Sequence, residues 1–218
     1  MPTNRDAIAD AMRALRVLAP GNDPDADELT VALGAAQDLI WDIHDARGPL
    51  LDVDVTASLV CSENQRIRVQ AGFNITVTLP NAVPLWGNYD PYDYGFTASQ
   101  QEGAIIAPTG TTASADGVQY RQPRDGARIE IVGTTQALYF YRADLNQWMS
   151  ADTIAMDDEM VFNARYRSAY AAMIAGKIMD VVANAEPSAG LQRRIQQGNA
   201  ALMMQSGTKR DPVRAQYF

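Results

Sequence analysis

Residues 157–185, DDEMVFNARYRSAYAAMIAGKIMDVVANA, decide how this chain folds. Phe162, Tyr166, Tyr170, Met173, Ile174, Ile178, Val181 and Val182 recur three and four apart, so the spacing predicts a helix with one broad apolar face. Asp157, Asp158 and Glu159 stand at its expected start, where carboxylates suit the positive end of the helix dipole. Pro187 and Ser188 open one more helix, with Leu191, Ile195 and Leu202 on its face, fading at Ser206-Gly207. The last eleven residues, with Pro212 among them, read as extended chain.

The amino-terminal segment has the same period. Thr3 followed by Asp6 is a capping arrangement, and Ile8, Met12 and Leu15 carry helical spacing to about Leu18. APGNDPDADE (19–28) supplies a turn, with Pro24 where a first helical turn accepts proline and Asp25, Asp27 and Glu28 suited to the helix start. Leu29, Leu33, Ala36, Ile40 and Ile43 or His44 then trace a buried face up to the stop at Arg47–Pro49.

Between these helical ends the period changes to two. VDVTASLVC (53–61), QRIRVQAGFNITVTLP (65–80) and ARIEIVGTTQALYFYR (127–142) alternate and are rich in β-branched and aromatic residues, so they predict strands. AGF (71–73) and VGTTQ (132–136) are the expected hairpin turns. Pro80 and Pro123 bracket a stretch, residues 81–117, that shows neither period yet carries Trp86, Tyr89, Tyr92, Tyr94 and Phe96. A long aperiodic segment this aromatic reads as a projecting loop stabilised by a partner, against a locally packed flap.

The expected fold is therefore α+β: an antiparallel bundle of about four helices, interrupted by a β-rich insertion and followed by a tail. The boundaries are 1–50 for the first helices, 51–152 for the insertion with its long loop 81–121, 153–205 for the last helices and 206–218 for the tail.

Composition narrows the chemistry. A formal net charge of −8 disfavours capture of nucleic acid. Charge is uneven: residues 1–60 hold 11 acidic side chains against 4 Arg, whereas residues 184–218 hold 2 against 5 Lys or Arg. A single His and a single Cys make neither a histidine-rich metal site nor a disulfide, and Cys61 reads as a core or strand residue. His44 reads as a locally bonded helix-terminal histidine in preference to a general base. The carboxylate pairs Asp25/Asp27 and Asp157/Asp158 are better explained as helix starts, and Asp52/Asp54 as a solvent-facing strand edge, than as a hydrolase or a divalent metal site. No run approaches the roughly 20 apolar residues of a membrane span, and the amino terminus lacks the apolar core of a secretory signal. The expectation is a protein made in a cytoplasm, with no catalytic residue, no metal and no cofactor.

Three stretches carry a resemblance. RDAIADAMRALRVLAPGNDPDADELTVALGAAQDLIWDI (5–43) is similar to the paired amino-terminal helices of the head-to-tail adaptor proteins of tailed bacteriophages, of the tubular tail adaptor and packaged-DNA-stabilisation type. FNARYRSAYAAMIAGKIMDVVANAEPS (162–188) resembles that family's later long helix, and LQRRIQQGNAALMM (191–204) the helix before its extended tail.

The resemblance implies a structural virion protein at the head-tail interface, not an enzyme. Twelve subunits would form a ring beneath the portal protein, extend a channel through which viral DNA passes unbound, and offer a platform to nozzle or tail proteins. It implies that the tail docks into the portal through Arg210, Asp211, Pro212, Val213, Arg214, Tyr217 and Phe218. Trp86, Tyr89, Tyr92, Tyr94 and Phe96 would meet the nozzle or a neighbouring subunit. A head-completion or tail-terminator protein is the nearest alternative, and an aromatic-surface carbohydrate or envelope-binding module the alternative from another class.

Overall fold

The computed structural model describes residues 1–19, 21–73, 75–84, 113–115, 118–133, 136–183 and 188–204. Among the described residues, four α-helices and a five-stranded mixed sheet make it an α+β protein.

Helix α1 (Asn4–Ala14) starts at the predicted capping box: the Thr3 N–H donates to Asp6 Oδ2 at 2.9 Å and the Asp6 N–H to Thr3 Oγ1 at 3.3 Å. It ends four residues earlier than its periodicity suggests. Arg16 takes a left-handed φ of 63°, and the Val17 N–H turns back to the Met12 carbonyl at 3.2 Å, which closes the last turn. Helix α2 (Ala26–Ala46) is capped by Asp25, whose Oδ1 accepts from the Glu28 N–H at 2.8 Å; Pro24 therefore precedes the cap and is not in the first turn.

The strands follow as β1 (Leu51–Val55), β2 (Leu59–Val60), β3 (Gln65–Val69), β4 (Val77–Thr78), β5 (Val83–Pro84), β6 (Ala113–Ala115), β7 (Val118–Arg121), β8 (Arg128–Val132), β9 (Ala137–Arg142) and β10 (Gln147–Ser150). The main sheet has the order β1-β3-β8-β9-β10, with β1, β3 and β8 parallel and β9 antiparallel to both of its neighbours. VGTTQ does join a hairpin, with Ile131 opposite Ala137. AGF is a turn but not a hairpin: β4 pairs in parallel with β2, away from β3. Parallel neighbours cannot be linked by a tight turn, so the β1–β3 pair needs the crossover through residues 56–64 that carries β2.

Both faces of the sheet are covered. On one, Leu138 and Phe140 join Ile8, Met12, Ile40, Ile43 and the later helices in the main core. On the other, Ile67 and Ile129 pack with Val55 and Cys61. The Cys61 thiol donates to the Thr78 carbonyl at 3.2 Å, and burial pushes its pKa up to about 12. Register sets Arg66, Glu130 and Leu138 side by side and Arg128 opposite Phe140, so the charged residues of the RIEI alternation face the helices. This arrangement places ionic chemistry inside the fold.

A strap, residues 151–163, returns from the sheet to the helices. Carbonyls of Met156 and Asp158 accept the N–H groups of Arg5 and Asn4 at 2.9 and 3.0 Å, satisfying donors that the first turn of α1 leaves open. Gln37 on α2 bridges the strap from the other side, donating to the Ala151 carbonyl and accepting from the Ile154 N–H, each at 2.9 Å. The fully buried Arg142 grips it by donating to the Met160 carbonyl at 2.8 Å and to Glu159 at 3.4 Å, and on its other side donates to Asp144 at 2.6 Å in the turn after β9.

Asp157–Glu159 belong to this strap and not to a helix start: Asp157 pairs with Arg5 at 3.0 Å, and Asp158 accepts from the Ala155 N–H at 2.9 Å. The helix they were expected to open begins as a 3-10 turn (Ala164–Tyr166), continues as α3 (Arg167–Ile178) and widens into a π turn (Met179–Ala183). Phe162 precedes it and stacks edge-on with Phe140 and Tyr170 at 5.5 and 5.1 Å. Each residue added to a turn shifts the phase of the face, and Val181, expected inside, is 71% exposed.

Helix α4 (Ala189–Met204) is capped by Ser188, whose Oγ accepts from the Leu191 N–H at 3.3 Å, and it buries Leu191 and Leu202. It crosses α3 at Gly198, where an added Cβ would lie 2.8 Å from the Ala169 carbonyl oxygen. Gly198→Ala is therefore expected to cost about 1–3 kcal/mol in urea unfolding. Gly176→Ala meets only the flexible tip of Ile195 and is expected to cost less. Equal costs for the two variants would refute this account of the crossing.

Candidate functional site

The loop residues Trp86, Tyr89, Tyr92, Tyr94 and Phe96, and the tail residues Arg210, Asp211, Pro212, Val213, Arg214, Tyr217 and Phe218, lie outside the described residues. The structure describes the residues that flank both segments. Antiparallel β5 and β7, with Val83 opposite Arg121, bring the two ends of the loop together. The Trp148 indole N–H donates to the Pro80 carbonyl at 2.8 Å, and the Arg124 N–H to Glu63 at 2.9 Å, pinning the strands on either side.

The root of the tail is held from inside. Arg47, at the carboxyl end of α2, donates through Nε to the Leu202 carbonyl at 3.1 Å and through Nη1 to the Gly126 carbonyl at 3.0 Å. Its guanidinium lies 5.4 Å from the Phe140 ring centre and 5.9 Å from that of Phe162, within cation–π range. One side chain thus ties the last turn of α4 to α2, the sheet and the strap. Burial, and then the neighbouring Arg128, push its pKa down to about 9, which leaves it charged at neutral pH.

Beside it lies a buried ionic node. His44, 2% exposed, has Nε2 3.2 Å from Glu130 Oε2, and Nδ1 3.4 Å from Arg128 Nη1. Arg66 Nε donates to the same Glu130 oxygen at 2.6 Å. Arg128 donates to the Gly48 carbonyl at 3.1 Å and to the His44 carbonyl, closing the carboxyl end of α2. A neutral imidazole protonated on Nε2 satisfies both contacts, donating to the carboxylate and accepting from the guanidinium. The partners of His44 are therefore long-range, 84 and 86 residues away, and not the local ones expected. This is an imidazole spent on holding two elements together.

Its titration follows from this setting. Burial, and then Arg128, lower the His44 pKa below its ordinary 6.5, outweighing Glu130 and Asp45, while Trp41 meets the ring edge-on at 5.7 Å. Between the folded and unfolded values the unfolded chain binds more protons, so this contribution is full above about pH 6.5 and is lost as pH falls through that window. The melting temperature is expected to drop from pH 7.5 to 5.5 more steeply in the parent than in His44→Gln. Parallel profiles would overturn this assignment.

On the outer surface, α1, α3 and α4 enclose a groove of about 810 Å³. Ala14, Ala169, Ala172 and Ala201 form part of its lining, and Arg13, Arg165 and Arg194 are its cations. Asp10, its lining carboxylate, is shared between Arg13 at 3.1 Å and Arg167 at 2.7 Å; Arg165 pairs with Asp125 at 3.0 Å and covers the Tyr166 ring at 4.7 Å. At the far edge of the sheet, Asp52 pairs with Arg68 at 3.2 Å on the half-open strand β1. Among the described residues no group of three His, Cys, Asp or Glu is placed to hold a metal, and no helix is long and apolar enough to cross a membrane.

Sequence reasoning missed Arg47, Arg128, Glu130 and Arg66. The available signal was the RIEI alternation, in which two charges share the face opposite two isoleucines. What fold and site define together is an α+β protein in which buried arginines and a histidine tie α2 and the end of α4 to the sheet and the strap. No protein-family model matches the chain, and no curated protein matches it.

Proposed function

We propose that the chain is a structural subunit of a phage head-to-tail adaptor ring, seated beneath a portal and carrying nozzle or tail proteins on its far side. The observation that carries this reading is the tie from Arg47 to the Leu202 carbonyl, which fixes the end of α4 just before the segment 206–218 that the resemblance assigns to the portal. A segment held at its root pays less entropy on docking than one that wanders, and multiple such segments in a closed ring act together. Further support comes from the core: the two amino-terminal helices and the two later ones that resemble the family's helices bury their apolar faces against one another. In this reading they form the antiparallel bundle, residues 51–152 are the insertion, and Arg210, Arg214, Tyr217 and Phe218 are the portal anchors, residue types that dominate interface energetics.

The test compares the full chain with one ending at Ser206 for binding to a portal ring from the same phage, by size-exclusion chromatography and negative-stain imaging. The full chain is expected to co-elute with the portal, and the shortened chain to bind at least tenfold more weakly. Equal binding by both would remove the tail from the account. Binding by neither would remove the adaptor itself.

A further inference from the structure

The groove between α1, α3 and α4 is cationic on a chain whose formal charge is −8. Arg13, Arg165 and Arg194 line it; Asp10, its lining carboxylate, is shared between Arg13 and Arg167, and Arg165 pairs with Asp125 at 3.0 Å, so four guanidiniums, counting Arg167, stand against two carboxylates. Arg194 is exposed and has no ion-pair partner among the described residues. The short side chains of Ala14, Ala169, Ala172 and Ala201 leave room for a backbone to approach these guanidiniums.

The same chain carries the complementary shape. The turn Asp23–Glu28 presents Asp23, Asp25 and Asp27 exposed and Glu28 partly so, and none of the four is in a salt bridge among the described residues. It is stiff: Pro24 is buried and Asp25 caps the helix through the Glu28 N–H at 2.8 Å. Little ordering entropy would be lost on docking it. Within one chain the acids and these arginines do not pair, so each copy has both halves of a contact to offer.

We infer that the groove receives the Asp23–Glu28 turn of a second copy of this chain. Each copy donates one turn and accepts one, so the contact propagates from copy to copy and closes where the rotation permits. The inference rests on the adaptor reading for ring closure, but the contact itself needs no portal. A nucleic acid is the weaker occupant, because the summed negative charge of the chain opposes its approach.

Two charge-reversed full-length chains test it by sedimentation velocity without portal: Arg13→Glu with Arg194→Glu, and Asp23→Arg with Asp27→Arg. The parent is expected to self-associate at low salt and dissociate at high salt, since exposed pairs are screened. Each variant alone is expected to associate at least tenfold more weakly, and an equimolar mixture to recover the parent's association, because each reversed half then meets an opposite one. Recovery on mixing also shows that both variants are folded.

A parent that stays monomeric at low salt overturns the inference. So does either variant associating like the parent, or a mixture no better than its components. A short DNA duplex that binds the parent and not the groove variant, with self-association unchanged, would make the groove an anion site instead. A chain that binds portal yet fails these arms loses only this contact. One that self-associates through it without binding portal loses only the adaptor role.

Discussion

Replacing Glu130 with leucine is expected to destabilise the fold by about 3–5 kcal/mol, the usual cost of removing one partner from a buried ionic cluster. Glu130 is 6% exposed, receives Arg66 at 2.6 Å, and lies 3.2 Å from the His44 ring. Without it, Arg128 keeps its charge in a buried site with Nε already lacking a partner, and the His44 Nε2–H points at nothing. Glu130→Gln keeps the shape and an acceptor, so it is expected to lose less. Adding Arg128→Met to Glu130→Leu should restore part of the loss, because an uncompensated buried cation costs more than an apolar replacement. Urea unfolding of the four chains checks this. A Glu130→Leu chain within 1 kcal/mol of the parent would show that the node contributes little beyond packing.

Removing the Arg47 side chain is the second large effect. Arg47→Ala strips donors from the Leu202 and Gly126 carbonyls and the cationic cover from Phe140 and Phe162. Unpaired buried acceptors cost about 1–3 kcal/mol each, so a loss of about 2–4 kcal/mol is expected. The diagnostic readout is local: amide exchange over residues 191–204 should quicken more than over α2, because Arg47 is the tie at the end of α4. Arg47→Lys keeps the charge but not the forked geometry, and is expected to fall between. Uniform exchange changes along the whole chain would mean that Arg47 stabilises the fold as a whole and has no special hold on the root of the tail.

Much of the architecture was legible because it depends on local rules. Thr3 and Asp6 form a capping box in any context that allows a helix to start, and the spacing of Ile40, Ile43, Tyr170 and Ile174 allows only one buried face. Six strands, β1–β4, β8 and β9, were legible for the same reason, as was the hairpin at VGTTQ, but β5, β6 and β7 lie in the stretch read as a long loop and β10 lies beyond the predicted segments, because these short strands carry too little alternation to stand out. Pairing was not: AGF makes its turn, but nothing local reports that β3 lies between two parallel partners 14 and more residues away. Helix starts signalled by charge alone were the least secure. Asp157–Glu159 suit a helix dipole, yet the carbonyls of Met156 and Asp158 were taken up by the amino terminus of α1, which holds them in a strap.

The site divides in the same way. Its segments of unusual composition, the aromatic loop and the basic tail, stand out because composition is a property of the sequence alone. Their anchoring does not, because Arg47, His44, Arg128 and Glu130 acquire meaning only when α2 ends against β8. Alternation in RIEI says that the two charges share a face, but solvent or helix could cover that face equally well. By itself, then, the sequence determined the four helical segments, six of the described strands, the acidic balance and the two segments of exceptional composition, since each follows from neighbours within a few residues. The tertiary structure alone decided that the charged face turns inward, that a histidine is spent on cohesion, and that an arginine 155 residues from Leu202 holds the end of the last helix. Those outcomes depend on which surfaces meet, and a buried charge is tolerated only where partners from distant parts of the chain arrive to pair it.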